Sequence, residues 1–69
     1  MLEELPNVVK SAREKTILGM YADSLETYNS AMSIIDTQTN VTYEEKWKKV
    51  KRDIGEEIQA VTRLLNTVN

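Results

Sequence analysis

Apolar residues return at helical intervals along nearly the whole chain. The rhythm is strongest in the last third, where Tyr43, Trp47, Val50, Ile54, Ile58, Val61, Leu65 and Val68 follow one another at steps of 4, 3, 4, 4, 3, 4 and 3. Steps of three and four keep side chains on one stripe of an α-helix. Tyr21, Ser24, Leu25, Tyr28, Ala31, Met32 and Ile35 make a second stripe, in which Ser24 and Ala31 are small enough to let a neighbouring helix approach closely. Leu5, Val8, Val9, Ala12, Thr16 and Gly19 make a third. The pattern predicts helices over about 6–18, 21–35 and 43–68. Ile17, Leu18 and Ile34 fall outside their stripes, so each either packs against the third helix or is left for a partner.

The joints carry their own signals. Pro6 suits a first helical turn, where its missing N–H would have been unpaired anyway, and Glu3 and Glu4 sit where the positive end of the helix dipole favours acids. Gly19 follows the first periodic run and supplies the left-handed residue that closes a helix. Residues 36–41 read Asp-Thr-Gln-Thr-Asn-Val, polar and aperiodic, which predicts a connection. Thr42 with Glu45 three residues on makes a capping box for the last helix.

Three amphipathic helices with short joints specify a single all-α domain over residues 1–69, a three-helix up-down-up antiparallel bundle. Its expected core is Val9, Ala12, Leu25, Tyr28, Trp47, Val50, Ile54, Ile58 and Val61. At about 26 residues the third helix would reach on the order of 39 Å and overhang its partners. Either Leu2 and Leu5 of the first helix or another chain would then cover Leu64, Leu65 and Val68. No 34-residue helical repeat is present, because Trp47 has no counterpart near position 13.

Composition narrows the chemistry sharply. The chain has 69 residues, no Cys and no His, which removes disulfides, thiol chemistry, tetrahedral zinc and the usual general base. Its serines therefore lack a base. Glu44/Glu45 and Glu56/Glu57 are adjacent pairs that diverge by about 100° on a helix, and Gly19 and Gly55 alone cannot make a phosphate loop. No metal, no cofactor and no catalytic residue is expected in this segment. Nine Lys and Arg against eleven Asp and Glu leave a net charge of -2, a balance that argues against nucleic acid as a partner. No apolar run is long enough to insert into a bilayer.

One charge feature stands out against that balance. Lys46, Lys48, Lys49, Lys51 and Arg52 put five cations into seven residues at the start of the third helix. They admit two readings. In one, Glu44–Lys48, Glu45–Lys49 and Arg52–Glu56 pair along a solvated face at roughly 0.2–0.5 kcal/mol each. In the other, cations placed against the helix dipole form a ridge for an acidic protein surface.

Val9-Lys10-x-Ala12-Arg13-Glu14, Leu18-Gly19-x-Tyr21 and Lys46-Trp47-x-x-Val50-x-x-Asp53-Ile54 together resemble the microtubule-interacting-and-trafficking (MIT) family, and within it the domains of katanin catalytic subunits. The resemblance extends over about positions 8–65. It implies a parent AAA ATPase that uses ATP and Mg to sever microtubules, with its ATPase domain outside this segment. It further implies a cytoplasmic, cytoskeletal location on microtubules, the spindle and its poles or centrosome. The partners implied are tubulin or microtubules and the C-terminal domain of katanin's regulatory subunit. Lys48, Lys49, Lys51 and Arg52, helped by Arg13, are the candidate tubulin contacts. Ile17, Leu18, Ile34, Leu64 and Val68 are the candidate subunit interface. The alternative within the family is a receptor for helical tails of ESCRT filament subunits on a membrane-trafficking ATPase.

Overall fold

A computed structural model describes residues 2–37 and 45–68. A 3-10 turn, Leu2–Glu4, leads into α1 (Leu5–Ile17), followed by α2 (Tyr21–Thr37) and α3 (Glu45–Val68). The helices form the up-down-up bundle that the three stripes predict, 39 × 18 × 15 Å in extent.

The boundaries differ from expectation at three places. α1 begins at Leu5 with Pro6 in its first turn, and Glu4 is its N-cap without a side-chain capping bond. Leu18 is the C-cap instead of the last helical residue. Gly19 adopts φ 79°, and two backbone bonds, Gly19 N to Thr16 O at 3.0 Å and Met20 N to Lys15 O at 2.8 Å, close the helix as a Schellman motif. α2 runs on through Asp36 and Thr37, past the apolar stripe, because Thr37 Oγ1 donates back to the Ile34 carbonyl at 3.0 Å and Lys51 holds Asp36 from α3 at 2.7 Å. The capping box at Thr42 and the helical assignment of Tyr43 and Glu44 lie outside the described residues.

α2 is the central helix. Both α1 and α3 pack along it, while α1 and α3 touch one another little. Leu5, Val9, Ala12, Tyr28, Ala31, Ile35, Ile54 and Val61 form the buried core. Ser24 and Ala31, both fully buried, let α2 lie close to its neighbours, as their size predicts.

The expected core needs correction at four positions. Leu25, Trp47, Val50 and Ile58 are half-buried residues packed against the core. Trp47 and Val50 line the opening between α1 and α3, where little α1–α3 contact leaves them one neighbour instead of two. Leu5, Ala31 and Ile35 take the fully enclosed places.

The suggestion that Leu5 covers the end of α3 is also corrected, while the side chain of Leu2 lies outside the described residues. α1 and α3 run parallel, so Leu5 lies beside Trp47 and Val50 near the start of α3. At the far end Leu64 is 42% and Val68 65% exposed.

Candidate functional site: a divided groove and a cationic helix face

Since α1 and α3 flank α2 without closing on each other, a groove runs between them. Two clefts with mainly apolar walls occupy it. One, of about 380 Å³, is formed by Thr16 and Ile17 of α1, Tyr28 of α2 and Ala60, Val61 and Leu64 of α3. The other, of about 350 Å³, is formed by Leu5, Pro6, Val9, Trp47 and Val50. Arg13 borders both.

Arg13 crosses the groove to Glu57. Its Nε donates to Glu57 Oε1 and its Nη2 to Oε2, each at 2.8 Å, the planar two-point geometry that makes arginine–carboxylate pairs directional. Tyr28 donates its hydroxyl to the same Oε1 at 2.8 Å. Tyr28 is buried, so the carboxylate is held from the floor of the groove as well as from its far wall.

The three groups shift one another in consistent directions. Donation from Arg13 holds the Glu57 carboxyl below its ordinary value against the opposing effect of burial. Burial, then the hydrogen bond to the Glu57 carboxylate, pushes the Tyr28 hydroxyl up to about 12. The guanidinium of Arg13 is held more firmly protonated, chiefly by its bonds to Glu57.

The expected interface residues do not all meet. Ile17 and Leu64 face each other across the first cleft. Leu18 is 73% exposed at the α1–α2 joint, and Val68 is exposed at the end of α3. Ile34 is half-buried against the core.

On α3 the cations separate by function of position. Lys51 is bonded to Asp36 of α2, and Lys48 lies 3.7 Å from Glu45. Of the expected i,i+4 pairs, Glu45–Lys49 and Arg52–Glu56 are not formed, and Glu44–Lys48 lies partly outside the described residues. Lys49 and Arg52 are exposed and have no ion pair among the described residues. Lys46 places its Nζ 5.4 Å from the centre of the Trp47 ring, within cation–π range. Arg13, included with these cations on sequence grounds, is engaged by Glu57 in the groove.

The model of the family described as Katanin p60 subunit A1, MIT domain, matches residues 5–64. The chain belongs to the katanin MIT family. The match takes in all of α1 and α2 and most of α3, including both groove walls and the cationic face. A katanin MIT domain is a targeting segment of a katanin-type ATPase and is itself non-catalytic. No curated protein and no solved structure matches the chain.

Two features of this katanin MIT domain escaped sequence reasoning. The sequence pattern presents Glu57 only as a member of an adjacent, diverging acidic pair, although it lies one heptad after Val50 and one before Leu64, on the edge of the apolar stripe. That position was a usable signal. Thr16 and Ser24 form a polar contact inside the α1–α2 interface, Oγ1 to Oγ 2.6 Å; each is the hydroxyl of its own stripe, but the stripes do not say that the two meet. Among the described residues no helix is long and apolar enough to cross a membrane, and no cluster of carboxylates could hold a metal ion.

Proposed function

We propose that this domain targets a microtubule-severing, ATP- and Mg-dependent katanin ATPase to tubulin and to the C-terminal domain of the katanin regulatory subunit, using separate surfaces. The carrying observation is the exposed pair Lys49 and Arg52, which have no acidic partner among the described residues. Lys49 and Arg52 offer an acidic protein surface cations whose charge no ion pair among the described residues compensates, and Lys48 and Lys51, paired with Glu45 and Asp36, extend the same cationic face. Contacts of this kind are rim-like, salt-sensitive and weak singly, which suits a domain that is one of several tethers in a larger assembly. The Ile17–Leu64 cleft supports the subunit contact, because a mainly apolar cleft walled by large exposed side chains marks a protein-binding surface.

The double variant Lys49→Glu, Arg52→Glu should keep its helical content and melt within about 0.5 kcal/mol of the parent. Its co-sedimentation with microtubules should weaken at low salt while regulatory-subunit binding is retained. Unchanged pelleting would remove the cationic face from the proposal. Perturbation of the groove by an ESCRT-type helical tail, with no response to the regulatory subunit, would favour the membrane-trafficking alternative.

A further inference from the structure

The chain holds two glycines, and its own structure accounts for one of them. Gly19 takes φ 79° where α1 closes, a conformation that residues with a Cβ rarely adopt. Gly55 lies in the interior of α3 with an ordinary helical backbone, and a Cβ added there would meet nothing within 4 Å among the described residues. Neither backbone conformation nor packing calls for glycine at that place. Glycine inside a helix is less favourable than alanine because it loses more backbone freedom on folding, so Gly55 costs the fold stability that nothing within the fold offsets.

Its neighbours on the helix surface are cations. Gly55 follows Arg52 by three residues, Lys51 by four and Lys48 by seven, spacings that put all four on one side of α3. Gln59 continues that side, which carries no carboxylate of α3 beside the cations. Arg52 is exposed and has no ion pair among the described residues. Long side chains hold a ligand that reaches their charged tips away from the helix axis. A glycine among them leaves a notch in which another main chain can come down onto the helix itself. Carboxylates carried by that chain then meet the cations close to the helix, where salt screens them less than at the tips.

Resting on the reading that this cationic face meets an acidic protein surface, we infer that Gly55 is a contact position for that partner: an acidic segment passes its main chain over Gly55 and sets carboxylates against Arg52, Lys51 and Lys48. Arg52 supplies charge that no ion pair among the described residues compensates, and the glycine supplies the close approach. Adding a side chain at position 55 disrupts the contact even with every cation in place. Gly55 thus exchanges fold stability for access.

The test uses the 69-residue chain and microtubules, with the variants Gly55→Ala and Gly55→Leu, which leave all nine Lys and Arg unchanged. Gly55→Ala should melt about 4–8 °C above the parent, the shift that a glycine-to-alanine gain in a helix gives a domain of this size. Microtubule co-sedimentation at low salt should weaken with side-chain size, about threefold for alanine and about tenfold for leucine, the scale of overfilling a packed contact. Binding of the regulatory-subunit domain should stay as in the parent. Equal losses for alanine and leucine would assign the effect to helix stiffness and overturn the contact. A lower melting temperature for Gly55→Ala also overturns it, because the glycine would then be a need of the fold. If the Gly55 variants pellet like the parent while Lys49→Glu, Arg52→Glu is weakened, the Gly55 contact falls and the cationic face stands. Unchanged pelleting of Lys49→Glu, Arg52→Glu overturns the face, and this contact with it.

Discussion

The hydroxyl of Ser24 reaches from α2 to the carbonyl oxygen of Ala12 in α1 at 2.9 Å. Thr16 Oγ1 lies 2.6 Å from the same hydroxyl. Thr16 Oγ1 also lies 3.1 Å from the Ala12 carbonyl, so whichever hydroxyl donates across the 2.6 Å contact the other donates to Ala12, and neither side chain is left unsatisfied in the interface. Ser24 and Ala12 are both fully buried, and the close passage of the two helices depends on both being small.

Ser24→Ala should therefore cost about 1 kcal/mol, the worth of an ordinary net hydrogen bond. Ser24→Leu keeps an apolar interface but inserts volume where none is free, and should cost about 1–3 kcal/mol or more. Urea melts separate the two contributions, and a leucine variant as stable as the alanine variant would show that the helices have room to part.

The Arg13–Glu57–Tyr28 cluster makes stability depend on pH at both extremes. Glu57 has a folded-state value lowered from the ordinary 4.5, so its contribution is present above that value and is lost as pH falls through the lowered one. Tyr28 is raised from 10.0 to about 12. Its contribution is complete below pH 10 and is lost as pH rises from there toward about 12, because the unfolded chain ionises first. Melting temperature should fall at both ends. Glu57→Gln should flatten the acid limb relative to the parent, and Tyr28→Phe the part of the alkaline limb that belongs to this hydroxyl. Limbs of unchanged slope in these variants would assign the pH dependence to other groups.

Three isoleucines should rank by burial alone. Ile17 is 83% exposed and Ile35 fully buried, with Ile34 half-buried between them. Ile17→Ala should stay within about 0.5 kcal/mol of the parent, and Ile35→Ala should lose about 2–5 kcal/mol. Ile34→Ala should fall near 1 kcal/mol, about half the transfer value of a buried side chain of this size. Thermal melts of the three variants check the order. An Ile17 variant as damaged as the Ile35 variant would mean that Ile17 belongs to the core and offers nothing to a partner.

The amino-acid order alone determined the helices and their arrangement. Period-3.6 stripes, the left-handed residue at Gly19 and the scarcity of breakers act within a few residues, and a chain with three such stripes has few ways to bury them. The katanin-type motifs were equally local, since Leu18-Gly19 and Lys46-Trp47 are contiguous in the chain. The tertiary structure decided which stripe residues are enclosed and which only lean on the core. Trp47 and Ile54 sit on the same stripe, yet the first is half-buried and the second 2% exposed, because enclosure depends on how nearly α1 approaches α3. It also decided the bar across the groove. Arg13 and Glu57 are forty-four positions apart, and only the parallel course of α1 and α3 past a shared central helix brings their charges to 2.8 Å. Helical periodicity is set by bonds between near neighbours, whereas a groove and its partition arise from distances between helices, which no local pattern contains.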